Sequence, residues 1–257
     1  MKKKKQQKCK NFAIKEHQLQ ELIDSTSKPS YKTMLILLSF GMRAGEVAHS
    51  RKHWIHVNDD LAIQEGADYI EIPPSSDLCS CADCLLRGYI ENRQGPEETR
   101  KEHSAKWYYK TQKAFFKLPR DLSKKQKKKH PEKDYRLKYK IYWSPKSELG
   151  KRKIWILNKE RANYVKTYFE ENKSIGLQRR SIWTVVKNIG QQVFGKDSAK
   201  LFPHAIRSSC ATILAGKGIS SMSLQHQMGW STIAMADSYV KPQEKMALMD
   251  LKSKIKK

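Results

Sequence analysis

The carboxyl-terminal third of this chain constrains its fold more than any other part. Between Pro203 and Tyr239, apolar residues recur at helical spacing in three short runs, and glycine-containing turns separate the runs. The runs predict three consecutive helices at 203–217, 220–228 and 232–240. Helical patterns at 159–173 and 179–194 precede them, so we expect an α+β protein that is mostly helical.

Two chemically active residues stand three positions apart in the first of these runs, His204 and Arg207. Residues three apart share one face of a helix, so both side chains can point at one small target. A guanidinium beside an imidazole suits a phosphodiester, whose negative charge rises as it is attacked. Tyr239 is a candidate for the attacking group, because tyrosine is one of the side chains that form covalent intermediates.

The charge of the chain indicates a polyanionic partner. Its 51 basic and 26 acidic residues give a net charge of +25, which favours nucleic acid. No apolar run approaches transmembrane length, and the start, MKKKKQQKCK, is not followed by the apolar stretch of a secretory signal. Five cysteines, an odd number, do not look like a disulfide framework. We therefore expect a cytoplasmic, reduced protein that does not bind membranes.

The order of these residues resembles box II of the tyrosine recombinases, also called the phage integrase family. The matching elements are the H-x-x-R of His204 and Arg207, then Met228-Gly229-Trp230, then Tyr239. The segment LILLSFGMRAGEVAHSRKHWIHV at 35–57 resembles box I of the same family. The resemblance makes Arg43 the first phosphate-clamping arginine and Glu46 an acid that supports the site.

A third segment, SPKSELGKRKIWIL, resembles the strand-turn-strand of the family that carries its catalytic lysine. Lys146 aligns with that lysine and Arg152 with the basic residue beyond the turn, which we expect to contact DNA. The turn differs from the family pattern by about one residue, so Lys151 and Lys153 stay open as alternatives. Residues 140–157 are predicted to form a β-hairpin, and residues 53–57 and 68–72 to form short strands of the same small antiparallel sheet.

The resemblance implies a reaction as well as a fold. Tyr239 would attack the scissile phosphate and form a 3′-phosphotyrosine link, while Arg43 and Arg207 hold the non-bridging oxygens. Lys146 would protonate the 5′ leaving oxygen, and His204 would handle the tyrosine proton. Trp230 would buttress Tyr239. No cofactor would be needed for catalysis.

Between about residues 75 and 140 the composition changes, which predicts an insertion in the domain. CSCADC supplies Cys79, Cys81 and Cys84, which suit part of a structural zinc site with His103 or His130 as a fourth ligand. Several archaeal integrases of viruses and plasmids carry a similar insertion. Three reduced surface cysteines are the alternative interpretation. Residues 100–140 hold sixteen Lys or Arg and four acids, and the densest run is expected to bind DNA phosphates: Lys124, Lys125, Lys127, Lys128 and Lys129.

These observations predict a basic tail at 1–15 and a catalytic domain at 16–257. Arg43 lies too near the start to be preceded by the helical core-binding domain usual in the family, so the chain is either a catalytic fragment or a short variant. Double-stranded DNA is the expected partner, with a homotetramer assembled on it through the C-terminal helix. The main functional hypothesis is a site-specific recombinase. The alternatives are a type IB topoisomerase-like nicking and closing enzyme, and a DNA-binding remnant without catalysis.

Overall fold

A computed structural model of the chain describes residues 13–76, 78–79, 84, 141–145 and 148–240. Contacts divide the chain into two compact units, one formed by Met1–Pro74 with Pro145–Lys257 and the other by Ser75–Ser144. The described residues are mostly helical with small antiparallel sheets, which confirms the predicted fold class. The division into tail, catalytic domain and insertion stays a prediction.

The helices of the described residues are, in chain order, α1 Glu16–Asp24, α2 Pro29–Ser39, α3 Ala44–His49, α4 Asp60–Glu65, α5 Lys159–Glu171, α6 Arg179–Phe194, α7 Pro203–Gly216, α8 Ser221–Met228 and α9 Ile233–Val240. The strands are β1 Ile55–His56, β2 Tyr69–Ile72, β3 Leu78–Cys79, β4 Ile141–Tyr142 and β5 Arg152–Trp155. Short 3-10 turns occupy Lys52–Trp54, Glu148–Gly150 and Gly195–Lys200. No helix among these is long and apolar enough to cross a membrane.

Helix α2 is the central element of the first unit. It begins with Pro29, whose fixed φ suits the first turn of a helix and whose missing N–H has no partner there in any case. Its apolar residues cover the whole circumference, and 34–38 are each at most 1 % exposed. A helix that is apolar on every side is expected to be surrounded, and α2 packs against α1, α3, α5, α6 and α7.

The sheet of the first unit has the strand order β1-β2-β5, and both pairs are antiparallel. The predicted hairpin at 140–157 is wrong, because β5 pairs with β2, with Tyr69 opposite Trp155, whereas β4 pairs with β3. Apolar and β-branched runs predicted the strands but carry no information about which strand each one pairs with. The strand predicted at 53–57 is shorter than expected, since the 3-10 turn takes its first residues.

The three helices at the carboxyl end, α7, α8 and α9, agree with the predicted bounds to within one residue at each end. They share a small apolar core made of Cys210, Ala211, Ala215, Leu224, Met228, Trp230 and Ala236. Tyr239 packs against this core and is partly buried. Gly229 ends α8 in the left-handed conformation, with φ at +58°, and thereby turns the chain from α8 towards α9.

Candidate active site

Helix α7 carries His204 and Arg207 on one face, as their spacing predicts. The two side chains differ in environment. His204 is exposed, whereas Arg207 is only 2 % exposed. Helix α7 therefore presents the imidazole at the surface and keeps the guanidinium inside.

Backbone carbonyl groups hold the Arg207 guanidinium. Its Nη1 donates to the carbonyl of Gly41, and its Nη2 donates to that of Met228. Its Nε is buried without a hydrogen-bond partner among the described residues. Burial lowers the pKa of this guanidinium and the nearby Glu46 carboxylate opposes that effect. Since arginine keeps its proton in proteins, Arg207 adds a positive charge to the interior.

Glu46 holds two further arginines. Its Oε1 accepts from Arg43 Nη1 at 2.8 Å and from Arg152 Nη1 at 3.0 Å. Its Oε2 accepts from Arg152 Nη2 at 3.1 Å and from the Arg43 backbone N–H at 2.7 Å. Burial alone would raise the pKa of Glu46, but the charges of Arg152, Arg207 and Arg43 and the hydrogen bonds from Arg152 hold it at about 2. Glu46 is therefore ionised at neutral pH and orients both arginines.

The three arginines also meet three consecutive carbonyl groups at the end of α8. Arg152 donates to the carbonyl of Gln227 at 3.1 Å, and Arg43 donates to the carbonyl of Gly229 at 2.6 Å. Arg207 donates to the carbonyl between them, that of Met228. The last carbonyls of a helix have no partner within it, so the arginine side chains supply partners from outside. We call Arg43, Arg152, Arg207 and Glu46 the arginine cluster.

The segment that follows places an aromatic pair beside the arginine cluster. Trp230 is 7 % exposed, and its ring stacks on that of Tyr239 with centroids 5.2 Å apart and planes inclined by 18°. The Tyr239 hydroxyl donates to Oγ of Ser208 at 3.2 Å. Because Ser208 follows Arg207 directly on α7, the tyrosine hydroxyl lies against the helix that carries the buried arginine.

The electrostatics of His204 suit a proton acceptor. The surrounding protein partly desolvates the imidazole even though its side chain is exposed, which lowers its pKa below the ordinary 6.5, and the positive charges of Arg207 and Arg43 lower it further. The imidazole is therefore neutral at neutral pH. A neutral imidazole has one ring nitrogen free to take a proton.

The arginine cluster combines three positive charges with one negative charge. Fixed guanidinium groups in a buried place bind phosphate well, because their forked N–H groups match its oxygens. Together with this cluster, a phenol hydroxyl on α9 and an imidazole on α7 can supply a nucleophile, a base and a binding site for an anion.

Arg152, which the sequence analysis expects to contact DNA, lies inside the protein in this structure. Its side chain is 2 % exposed, and it donates to Glu46, to the carbonyl of Gln227 and to that of Gly150. Its N–H groups are directed at protein acceptors in this structure, and its contact with DNA stays a prediction. Arg152 connects β5 to Glu46 and to the end of α8, which makes it an internal support of the arginine cluster.

We expect Arg152→Lys to lower the free energy of unfolding by about 2 kcal/mol although the charge is kept, because one ammonium group cannot replace a fork that bridges several acceptors. Urea unfolding at neutral pH measures the loss. The matched control is Lys153→Met, at an exposed neighbour that pairs with Glu65, for which we expect little change. Equal midpoints for Arg152→Lys and the wild type would rule out the supporting role.

Several predicted residues lie outside the described residues. They are Lys146, the run Lys124, Lys125, Lys127, Lys128 and Lys129, and the candidate zinc ligands Cys81, His103 and His130. Of the other predicted zinc ligands, Cys84 is buried and Cys79 is half-buried. The roles of the lysines and the structural zinc therefore stay predictions.

Sequence reasoning missed two residues that the structure brings to the site. One is Ser208, the partner of the Tyr239 hydroxyl. The other is Gln227, whose side-chain amide bonds the backbone N–H and C=O of Trp155 at 3.1 and 3.0 Å and so joins α8 to β5. Adjacency to Arg207 was a signal for Ser208. Nothing in the local sequence marks Gln227, because its role depends on a contact across 72 positions.

Residues 102–246, more than half of the chain, match the model of the phage integrase family. Arg43 and Glu46 precede the matched region. No curated protein matches the chain.

A comparison with solved structures finds three matches. The crystal structure of XerA recombinase has 14 % sequence identity and a TM-score of 0.47, over 95 % of this chain and 63 % of that one. The integrase of transposon Tn1549, in complex with transposon right end DNA, has 14 % identity and a TM-score of 0.46, over 88 % of this chain and 60 % of that one. The same integrase in complex with circular intermediate DNA has 15 % identity and a TM-score of 0.46, over 88 % of this chain and 61 % of that one. The chain thus spans less than two thirds of the length of each.

Proposed function

Because the chain belongs to the phage integrase family, we propose that it is a site-specific DNA recombinase that cleaves and rejoins strands through Tyr239. The observation that carries this proposal is the position of the Tyr239 hydroxyl. It lies 3.2 Å from Oγ of Ser208, the residue that follows the buried Arg207 on α7, and the nearby arginine cluster carries excess positive charge. A nucleophile next to guanidinium groups is the arrangement that attack on a phosphodiester requires.

In the proposed reaction the Tyr239 oxygen forms a bond to phosphorus while the bond from phosphorus to the 5′ oxygen breaks. Negative charge builds on the non-bridging oxygens, and Arg43 and Arg207 stabilise it. The product is a 3′-phosphotyrosine with a free 5′ hydroxyl. A 5′ hydroxyl from a partner strand then reverses the step and rejoins the DNA.

Access to the arginines differs. The Arg43 side chain is 27 % exposed, whereas Arg207 is 2 % exposed. We therefore infer that the phosphate enters from the side of Arg43. The remaining N–H groups of Arg207 become available only when the side chains that cover them shift.

Two proton transfers accompany the cleavage. The neutral imidazole of His204 accepts the proton of the tyrosine. Lys146 gives a proton to the 5′ leaving oxygen, and this role rests on the family pattern alone. Trp230 holds the ring of Tyr239 by stacking.

The partners follow from the same proposal. The net charge of +25 supports binding of double-stranded DNA, and Lys124, Lys125 and Lys127–Lys129 would bind its phosphates. The proposal also includes assembly of a homotetramer through the C-terminal helix and a structural zinc at the cysteines. It further includes a cytoplasmic location and an archaeal mobile element as the source. No observation on the described residues favours the topoisomerase-like or the silent alternative.

The experiment that tests the proposal looks for protein covalently held on DNA. Wild-type protein is incubated with supercoiled plasmid, the mixture is denatured, and protein that stays on the DNA is measured. We expect an adduct with the wild type and none with Tyr239→Phe, because phenylalanine keeps the ring stack on Trp230 but has no hydroxyl to attack phosphorus.

The control is Tyr164→Phe, which keeps the ring beneath Lys32 and should form the adduct at the wild-type level. An adduct that persists in Tyr239→Phe would assign the nucleophile to another residue. Salt-sensitive DNA binding without any adduct in the wild type would favour the DNA-binding alternative.

A further inference from the structure

The hydroxyl of Tyr239 has a partner that the family pattern does not assign. Ser208 lies on α7 and Tyr239 on α9, 31 positions apart, and their oxygens are 3.2 Å from one another. Ser208 is 3 % exposed. The contact therefore fixes the hydroxyl of the proposed nucleophile to a buried point on the helix that carries Arg207 and His204.

The stack on Trp230 and the hydrogen bond to Ser208 constrain different motions of the Tyr239 side chain. Stacking on Trp230 sets the plane of the ring, but a stacked ring can still slide or turn within that plane. A hydrogen bond sets the position of one atom. With Ser208 as the partner, the phenol oxygen itself is located relative to α7.

A serine hydroxyl can serve both forms of the nucleophile. It has one O–H and two lone pairs, and it rotates to suit its neighbour. It accepts from the phenol before attack. It can turn and donate to the oxygen once the proton has left, when negative charge makes the hydrogen bond stronger.

We propose that Ser208 is a positioning residue for the nucleophile, which holds the Tyr239 oxygen against α7 and stabilises it as its bond to phosphorus forms. The inference rests on the proposed function. In this step the phenol proton passes to His204, the Tyr239 oxygen bonds to phosphorus, and the bond to the 5′ oxygen breaks. Ser208 stays outside the covalent change.

A purely structural serine is available for comparison in the next position. Ser209 is 0 % exposed on the same helix. Its hydroxyl donates to the carbonyl of Ala205 at 2.9 Å and accepts from the N–H of Ile14 at 2.8 Å. Ser209→Ala therefore removes a buried hydroxyl from α7 without touching the contact to Tyr239.

The test separates DNA binding from cleavage in Ser208→Ala and Ser209→Ala. DNA affinity and the rate of adduct formation are measured on the same supercoiled plasmid. We expect Ser208→Ala to keep its DNA affinity and to form the adduct about tenfold more slowly, the factor that corresponds to one ordinary hydrogen bond. Ser209→Ala should keep the wild-type rate.

A spectroscopic measurement reports the contact without DNA. Tyrosine labelled with ¹³C at Cζ gives one signal per residue, and Tyr239→Phe identifies the signal of Tyr239 by its loss. We expect this signal to move in Ser208→Ala and to stay in place in Ser209→Ala. A wild-type rate in Ser208→Ala, or an unmoved signal, would overturn the inference alone. A wild type that forms no adduct would overturn the proposed function, and the inference with it.

Discussion

Gly229→Ala is expected to abolish strand cleavage, with a loss of at least about 100-fold, because it displaces the arginine cluster from its acceptors. A Cβ at this position would lie 2.7 Å from the carbonyl oxygen of Leu149 and 2.8 Å from Cδ of Arg152. The φ of +58° adds strain for any residue with a side chain. Adduct formation on plasmid and urea unfolding measure the two effects, and we expect about 3 kcal/mol of destabilisation.

Gly66→Ala separates the crowding at Gly229 from the backbone strain. Gly66 also follows a helix in the left-handed conformation, with φ at +73°, but a Cβ there would have no atom within 4 Å. Gly66→Ala should lower the free energy of unfolding by about 1 kcal/mol and leave the rate of DNA cleavage unchanged. If the two variants were equally active, the close packing around Gly229 would not matter for the site.

Glu46→Gln should be the most destabilising single substitution in the arginine cluster, at about 3 kcal/mol near neutral pH, because it leaves buried guanidinium groups without their counter-charge. The pH dependence has a definite sign. The folded pKa of about 2 is below the ordinary 4.5, so ionised Glu46 stabilises the fold fully above pH 4.5. This contribution is lost as the pH falls from 4.5 towards about 2. The difference in free energy of unfolding between the wild type and Glu46→Gln, measured by urea unfolding, should shrink as the pH falls through that window.

The comparison for Glu46 is an ion pair at the surface. Glu16 and Lys217 lie 2.7 Å apart, but their side chains are 60 % and 57 % exposed. Solvent screens such a pair, so Glu16→Gln should change stability several-fold less. If the difference in free energy of unfolding between the wild type and Glu46→Gln stayed constant down to pH 2, the carboxylate charge would not be the source of the stabilisation.

The sequence predicted best what depends on neighbours along the chain. The bounds of α7, α8 and α9 followed from apolar spacing and from the glycine that ends α8. The shared face of His204 and Arg207 followed from helix geometry. Trp230 and Tyr239 were placed together by the family pattern, and their rings are stacked in the structure.

What depends on distant contacts was not predictable in this way. The pairing of β5 with β2 joins segments about 80 positions apart, whereas the sequence suggested a local hairpin. Arg152 was predicted to contact DNA, and its burial could not be foreseen because an arginine after a turn looks the same in sequence whether it faces solvent or the interior. Its burial is decided by Glu46 and by the carbonyl of Gln227, which lie on other elements.

The carbonyl groups at the end of α8 affect the net charge that the arginine cluster would present to an anion. Counter-ions could have held the three arginines equally rigidly, but three carboxylates would have left the site neutral. Peptide carbonyls are dipoles, so they orient a guanidinium and leave its formal charge in place. Among the described residues only Glu46 acts as a counter-ion to the three arginines, so the arginine cluster keeps a net positive charge, which would attract a phosphate from solution.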